Sequence, residues 1–321
     1  MTIIKLGFVA MSMELKNASP SKTMTYKQFS QLQNREAGLR KLERISLANI
    51  TNTLRVLKHA VANDVRFYRM TSRIIPLANH SELLDWDYIS PLHDALHEMG
   101  QYAKQHKMRL DFHPDHFVLI NSPKKEILKN SLKTLQLHYK ILKSMGMDTE
   151  HRCVMHVGGN YKETDVALER FVQNWGSVPL SIQRMIMLEN DDTSFTMADA
   201  LYLCEKLQIP LVFDYHHHLA YHHDENWIQH WPRVVESWKT SPLPLKMHIS
   251  SPKSEKQFRN HADYVDVNMF FDFLKEVKGS VERIDCMIES KKKDLALFQL
   301  MREIKERNDV EIIDGASFRL K

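Results

Sequence analysis

The chain has 321 residues, 43% hydrophobic and 26% charged, the balance of an ordinary folded protein. No apolar run approaches the ~18 residues of a membrane-spanning helix, and Met1–Ala10 lacks the long apolar region and small-residue cleavage site of a secretory leader. The net charge of +4 is uneven: residues 1–60 carry ten Lys/Arg against three Asp/Glu, and the remainder 34 against 37. A basic N-terminal part beside a His- and carboxylate-rich remainder suits a protein that grips a phosphate backbone and brings cations to it.

The predicted elements alternate. Ile3–Val9 is a first strand. Across Glu36–Asn63, Leu39, Leu42, Ile45, Ala48, Leu54, Leu57 and Val61 recur at helical spacing and predict one long amphipathic helix. Val65–Met70 is a second strand, closed by a polar turn at Thr71–Arg73. Leu92–His106 is helical, Met108–Phe112 is strand three, and Gly146 closes a helix over Lys124–Ser144. Strand four, Arg152–Val157, ends at Gly158–Gly159. A helix at Thr164–Trp175, strand five at Met185–Glu189 and a helix at Met197–Leu207 follow, with Pro210 set before strand six, Leu211–Asp214. Glu225–Trp238 is helical, with a kink or break expected at Pro232. Strand seven is Leu245–Ile249, followed by a helix at Tyr264–Lys278, strand eight at Ile284–Glu289 and a helix at Asp294–Glu306. Strands that are continuous apolar runs are buried on both faces, and eight βα units of this kind predict an α/β fold: a (βα)8 barrel. No Pro/Gly/Ser-rich linker or charge block interrupts residues 1–321, which predicts a single domain. Cys153, Cys204 and Cys286, scattered and odd in number, read as reduced, buried thiols of a cytoplasmic protein.

Six segments share one design, an apolar run that ends in a metal-binding side chain: Met108–His113, Cys153–His156, Met185–Glu189, Leu211–Asp214, Leu245–His248 and Cys286–Glu289. Barrel enzymes build their active sites at the C-terminal ends of the strands, so His113, His156, Glu189, Asp214, His248 and Glu289 converge there. A mixed imidazole and carboxylate set without thiolate suits Zn²⁺, Mn²⁺ or Fe²⁺. Several clustered cations favour phosphodiester hydrolysis, because one lowers the pKa of water while others stabilise the charge on phosphorus and the leaving oxygen. After Asp214, one of His216, His217 and His218 can join the set from the following loop. Lys246 shares a strand face with His248, and a cation there must be deprotonated, neutralised or carboxylated. His59, His80, His93, His97, His106, His138, His151 and His230 have no neighbouring partner in sequence and are set aside; His222 and His223 read as solvated loop residues.

The motifs Gly7-Phe8-Val9, Tyr68-Arg69-Met70-Thr71-Ser72 with Pro76, Phe112-His113-Pro114, His156-Val157-Gly158-Gly159, Leu188-Glu189-Asn190-Asp191-Asp192, Phe213-Asp214-Tyr215-His216-His217-His218, Lys246-Met247-His248-Ile249-Ser250-Ser251, His261-Ala262-Asp263-Tyr264 and Ile288-Glu289-Ser290-Lys291 occur in this order. Together, from about residue 3 to residue 300, they strongly resemble the bacterial UV damage endonuclease family, a TIM-barrel family related to endonuclease IV. The resemblance implies nicking of damaged duplex DNA immediately 5′ to cyclobutane dimers and 6-4 photoproducts, and in many members at abasic sites, leaving 3′-hydroxyl and 5′-phosphate ends. It implies up to three divalent ions, Mn²⁺ foremost, with Zn²⁺, Co²⁺ or Mg²⁺ as substitutes. By motif, His113, His156 and Glu189 would hold one ion; Glu189, Asp214, His248 and Glu289 a second, bridged by Glu189; and His217 and His261 a third, with Lys246 as the family's modified lysine. Glu189, Lys246 and His248 would carry the chemistry.

The resemblance also places a DNA-inserting dipeptide at His116-Phe117, where family members more often have Gln and an aromatic residue. Phe117 can fill the gap between unstacked bases. Phe8 and Ser12 stand where members carry Tyr and Asn, and are expected in the lesion pocket. Lys22, Lys27, Arg69, Arg73, Lys253 and Arg259 are candidate phosphate holders, and the protein is expected to be a monomer without membrane contact. Three other readings are an abasic-site endonuclease on the same metals, a sugar isomerase on the same barrel and a scaffold without catalysis. The size of the ligand set and the basic residues 1–60 argue against the isomerase, and intact strand-end ligands argue against the scaffold.

Overall fold

The computed structural model describes residues 1–321. In chain order, the first half comprises β1 (Ile3–Val9), α1 (Tyr26–Ser30), α2 (Arg35–Ala62), β2 (Phe67–Arg69), α3 (His93–Gln105), β3 (Arg109–Asp111), α4 (Lys125–Ser144), β4 (Cys153–His156), α5 (Thr164–Trp175) and α6 (Leu180–Gln183). The second half comprises β5 (Ile186–Glu189), α7 (Met197–Leu207), β6 (Leu211–Asp214), α8 (Tyr215–Ala220), α9 (Trp227–Ser237), β7 (Leu245–Ile249), α10 (Val267–Val277), β8 (Arg283–Ile288), α11 (Lys293–Lys305), β9 (Val310–Asp314) and β10 (Ser317–Leu320).

The first eight strands pair in parallel in the order β3-β2-β1-β8-β7-β6-β5-β4. A single parallel bridge between Phe112 and Cys153 joins the two ends. It is carried by bonds from Phe112 N to Arg152 O (2.8 Å) and from Val154 N to Phe112 O (3.0 Å). The barrel is thus nearly closed, with its weakest seam between β3 and β4. Strands β5, β6 and β7 are buried at every residue, as strands must be when side chains fill the barrel inside and helices cover it outside. Eighty-five buried residues form one contiguous core.

Of the kink or break expected at Pro232, the break does not occur: α9 continues through it. The carbonyl that loses its partner belongs to Ile228, which is 42% exposed, so water can replace the missing bond. The helix predicted over Asp294–Glu306 is α11, and beyond it the chain adds the β9–β10 hairpin, which is not among the predicted elements. β8 occupies one edge of β1 from Ile3 to Phe8, and β10 pairs antiparallel with Ile3–Lys5 on the edge that β2 meets only from Gly7 onward. The turn Asp314-Gly315 between two apolar runs was the signal for it.

Candidate metal and DNA-cleavage site

Side chains alternate across a strand, so residues two apart point the same way. Val9 packs with Phe67 and Met287 in a small cluster separate from the main core, and this fixes which residues face inward. Arg69, two residues on from Phe67, and Glu289, two on from Met287, therefore rise to the barrel mouth. His113, His156, Glu189, Asp214 and His248 meet them there from the other strand ends.

The inward-facing ends form three overlapping groups whose ligand atoms lie within 4.8 Å of one another: His113, Glu189 and His248; Glu189, Asp214 and His217; Asp214, His248 and Glu289. Glu189 is central. Its Oε2 meets His113 Nε2 at 2.8 Å and His156 Nε2 at 3.8 Å, and its Oε1 meets His248 Nδ1 at 2.7 Å and His217 Nδ1 at 3.5 Å. Glu289 Oε1 lies 3.1 Å from the same His248 nitrogen and pairs with Arg69. His261 contacts the Glu289 carbonyl through Nδ1, with its ring centre 6.2 Å from that of His217.

Local structure selects among the three consecutive histidines. Asp214 caps α8 and accepts the backbone N–H of His217 at 2.7 Å. That turn folds His217 back over Asp214, with Nδ1 3.8 Å from Oδ2. His216 is engaged by Ser250 Oγ (2.6 Å) and the Phe258 carbonyl (2.7 Å), and His218 packs on Phe213 and His222. Asn190 locks the base of this turn through Asp214 N and O, at 2.9 and 3.0 Å. Behind His156, Gly158 adopts φ +126°, and a Cβ there would lie 2.2 Å from Asn121 Oδ1, so only glycine lets this loop pass.

The electrostatics favour cations. Burial alone would raise Glu189, but the His248 and His156 rings and hydrogen bonds from His113 and His248 hold it well below the usual carboxylate range. Burial likewise opposes ionisation of Glu289, and Arg69 and His248 overturn it. Burial pushes His113 down to about 4. Burial also opposes a charge on His217, yet the carboxylates of Asp214, Glu189 and Glu289 lift it to about 9. His248 Nε2, His156 Nδ1 and Asp214 Oδ2 are buried with no hydrogen-bond partner. Imidazole nitrogens and carboxylate oxygens clustered within 4.8 Å of one another fit a divalent ion, for which these are the appropriate donors.

One layer below the rim, Lys246 shares the inner face with His248, as expected. Its ammonium is fully buried and lies 3.0 Å from Asp111 Oδ2, rather than beside His217 and His261. Burial disfavours its charge and Asp111 restores part of it. Asp111 also meets Arg109 Nε at 3.3 Å, and Arg109 reaches Asp285 at 3.0 Å. A charged ladder thus fills a barrel interior usually packed with branched apolar side chains. Sequence reasoning missed Asp111, although it precedes His113 by two residues and so shares its face.

The DNA-facing candidates divide. Phe117 is 73% exposed, with the His116 ring tilted at 41° against it and ring centres 4.0 Å apart. Lys22, Lys27 and Lys253 are exposed. Arg73 pairs loosely with Asp115 at 3.4 Å, and Arg259 bridges to Asp192 at 2.8 Å. Phe8 and Ser12 are corrections, because neither reaches the mouth. Val9 takes the inward position on β1, so Phe8 points into the helix layer, fully buried edge-on against Tyr68 at 5.3 Å. Ser12 is buried and donates to Asp294 on α11.

The fold and site define a TIM-barrel protein whose strand ends present a His and carboxylate cluster beside an exposed aromatic residue. Residues 4–320 match the family described as UV-endonuclease UvdE, and the chain belongs to that family. It is 50% identical over 315 residues to the UV DNA damage endonuclease of Halalkalibacterium halodurans, covering 98% of each chain. To that of Bacillus cereus it is 40% identical over 314 residues, again covering 98% of each. Among solved structures, SacUVDE superposes with a TM-score of 0.83 at 25% identity, over 94% of this chain and 98% of that one. Endonuclease IV from Thermus thermophilus gives 0.56 at 12% identity, over 94% and 100%, which is a likeness of fold alone.

Proposed function

We propose that this protein is an endonuclease that nicks duplex DNA immediately 5′ to UV photoproducts, leaving 3′-hydroxyl and 5′-phosphate ends, with up to three divalent ions, Mn²⁺ foremost. The observation that carries the reading is the convergence of the His and carboxylate groups on Glu189 at the barrel mouth, in a chain whose relatives are named UV DNA damage endonucleases. His113, His156, Glu189, Asp214, His217, His248, His261 and Glu289 would hold the ions, which when bound lower the pKa of water and neutralise charge on the phosphate in transit.

The residues around them have separate tasks. Glu189 orients His113 and His248 through opposite carboxylate oxygens, so one side chain sets the spacing of two ligands. Arg69 orients Glu289 and brings a positive charge to the mouth. Lys253, Arg73 and Arg259 meet the DNA backbone, the last after release from Asp192. Phe117, backed by His116, enters the duplex beside the lesion. The damaged dinucleotide then leaves the stack toward the mouth, as substrates must when their target is stacked. Lys246 serves as a buried counter-ion of Asp111, supporting the layer on which His113 and His248 stand. The reading implies a single-domain monomer working on chromosomal DNA in the cytoplasm.

The test is strand nicking by purified protein, with Mn²⁺ and with EDTA, on duplexes carrying one cyclobutane dimer, one 6-4 product, one abasic site or no lesion. Mn²⁺-dependent cuts 5′ to both photoproducts are expected. Cuts at the abasic site alone would replace this reading with an abasic endonuclease, and no cut on any duplex would overturn it.

A further inference from the structure

Outside the mouth, a second cluster joins three elements that are distant in sequence. The chain leaving β1 does not enter the mouth but runs outward along α2. There Arg55 donates to the carbonyls of Asn17 (3.0 Å) and Lys16 (3.2 Å), and Asn52 donates to that of Ser19 (2.9 Å). This path brings Glu14 against His59 of α2 and Asp294 of α11. His59 Nε2 lies 3.2 Å from Asp294 Oδ2 and 3.5 Å from Glu14 Oε2. The ligand atoms of all three residues fall within 4.8 Å of one another.

An imidazolium clamped between two carboxylates would aim its N–H at one of them. Here Nε2 is buried and makes no hydrogen bond of acceptable geometry with either. The spacing fits a shared ion instead. Two donors each about 2.1 Å from one metal, at angles between about 90° and 120°, stand about 3.0–3.6 Å apart. Asp294, fully buried, is already oriented by Ser12 Oγ, the Met13 N–H at 2.7 Å and the Leu295 N–H at 3.0 Å. Such held carboxylates are what ligand sites use to fix geometry. Glu14, its side chain 56% exposed, leaves the outer side open to water.

We infer that Glu14, His59 and Asp294 form a divalent cation site, separate from the barrel mouth, that ties the segment after β1 to α2 and α11. One imidazole nitrogen and two carboxylate oxygens, without sulfur, select a first-row ion such as Mn²⁺, Fe²⁺, Co²⁺ or Zn²⁺. The role is structural. Ser12 and Met13 already lean on Asp294, and an ion at Glu14 extends that anchorage along the segment.

The test is equilibrium dialysis of the whole protein against Zn²⁺, with metal counted per chain. Glu14→Gln and His59→Asn are each expected to bind one ion fewer than the parent. Glu189→Gln, which disturbs the mouth, is expected to retain this ion. Zn²⁺ is also expected to slow amide exchange over residues 10–17 in the parent and not in Glu14→Gln. If the histidine variant fails to fold, the glutamine variant, changed at an exposed position, carries the test alone. Equal counts in parent and Glu14→Gln, or equal protection of residues 10–17, would overturn the site whether or not the protein cuts DNA.

Discussion

Phe117→Ala separates recognition of damage from folding more cleanly than any other change. With 73% of its surface in solvent and contact mainly with His116, Phe117 buries little on folding. Its loss should alter stability by no more than about 0.5 kcal/mol, the usual range for surface positions. In the complex the same ring would fill the gap left by an unstacked base. Base stacking on an aromatic side chain contributes about 1–3 kcal/mol, which corresponds to a weakening of about 5- to 150-fold in Kd. Undamaged duplex opens no gap for the ring, so its binding should change little. Fluorescence anisotropy with EDTA present, so that no strand is cut, can compare a duplex carrying one cyclobutane dimer with its undamaged counterpart. Equal losses on both duplexes would refute insertion by Phe117 and leave it as an ordinary contact.

Three further outcomes are expected. Glu189→Gln should keep the fold but lower nicking by more than about 100-fold, the upper end of what a merely supporting residue costs; a variant within a few fold of the parent would remove Glu189 from the centre of the site. Lys246→Met leaves Asp111 with Arg109 as its nearest cation, and breaking a buried pair costs about 3–5 kcal/mol. Urea unfolding should show that loss with the metal count unchanged, and a loss of one ion at unchanged stability would instead make Lys246 a ligand. His217, lifted from 6.5 to about 9 by its carboxylate neighbours, holds a proton in the metal-free fold that the unfolded chain releases near 6.5. The stability it contributes is complete below pH 6.5 and is lost as pH rises through about 9. The Tm of chelated protein should therefore fall across that window, and Mn²⁺, which displaces the proton, should flatten the fall; a chelated Tm independent of pH would contradict the raised value.

What the sequence determined by itself lies in short-range pattern. Apolar runs of strand length, separated by amphipathic helices, specify eight βα units, because each run must be buried on both faces. The residue ending each run is then at the mouth, and residue type alone marks His113, His156, Glu189, Asp214, His248 and Glu289 as candidate cation ligands. The same alternation put Lys246 beneath His248.

Tertiary structure decided what depends on partners far along the chain. Lys246 meets Asp111 across 135 residues, and His59, set aside for want of a partner in sequence, finds Glu14 and Asp294 on other elements. Phe8 and Ser12 resemble pocket residues by position in a motif, but the inward turn of Val9 and the carboxylate of Asp294 direct them elsewhere. The placing of His217 rather than its two neighbours over Asp214 rests on the capping bond at Asp214 and on the partners that engage His216 and His218 elsewhere. Strand period and residue chemistry are local properties and can be read along the chain. Which buried charge meets which counter-charge depends on barrel closure, which brings side chains from different strands within about 3 Å, the range in which a buried ion pair or hydrogen bond must be satisfied.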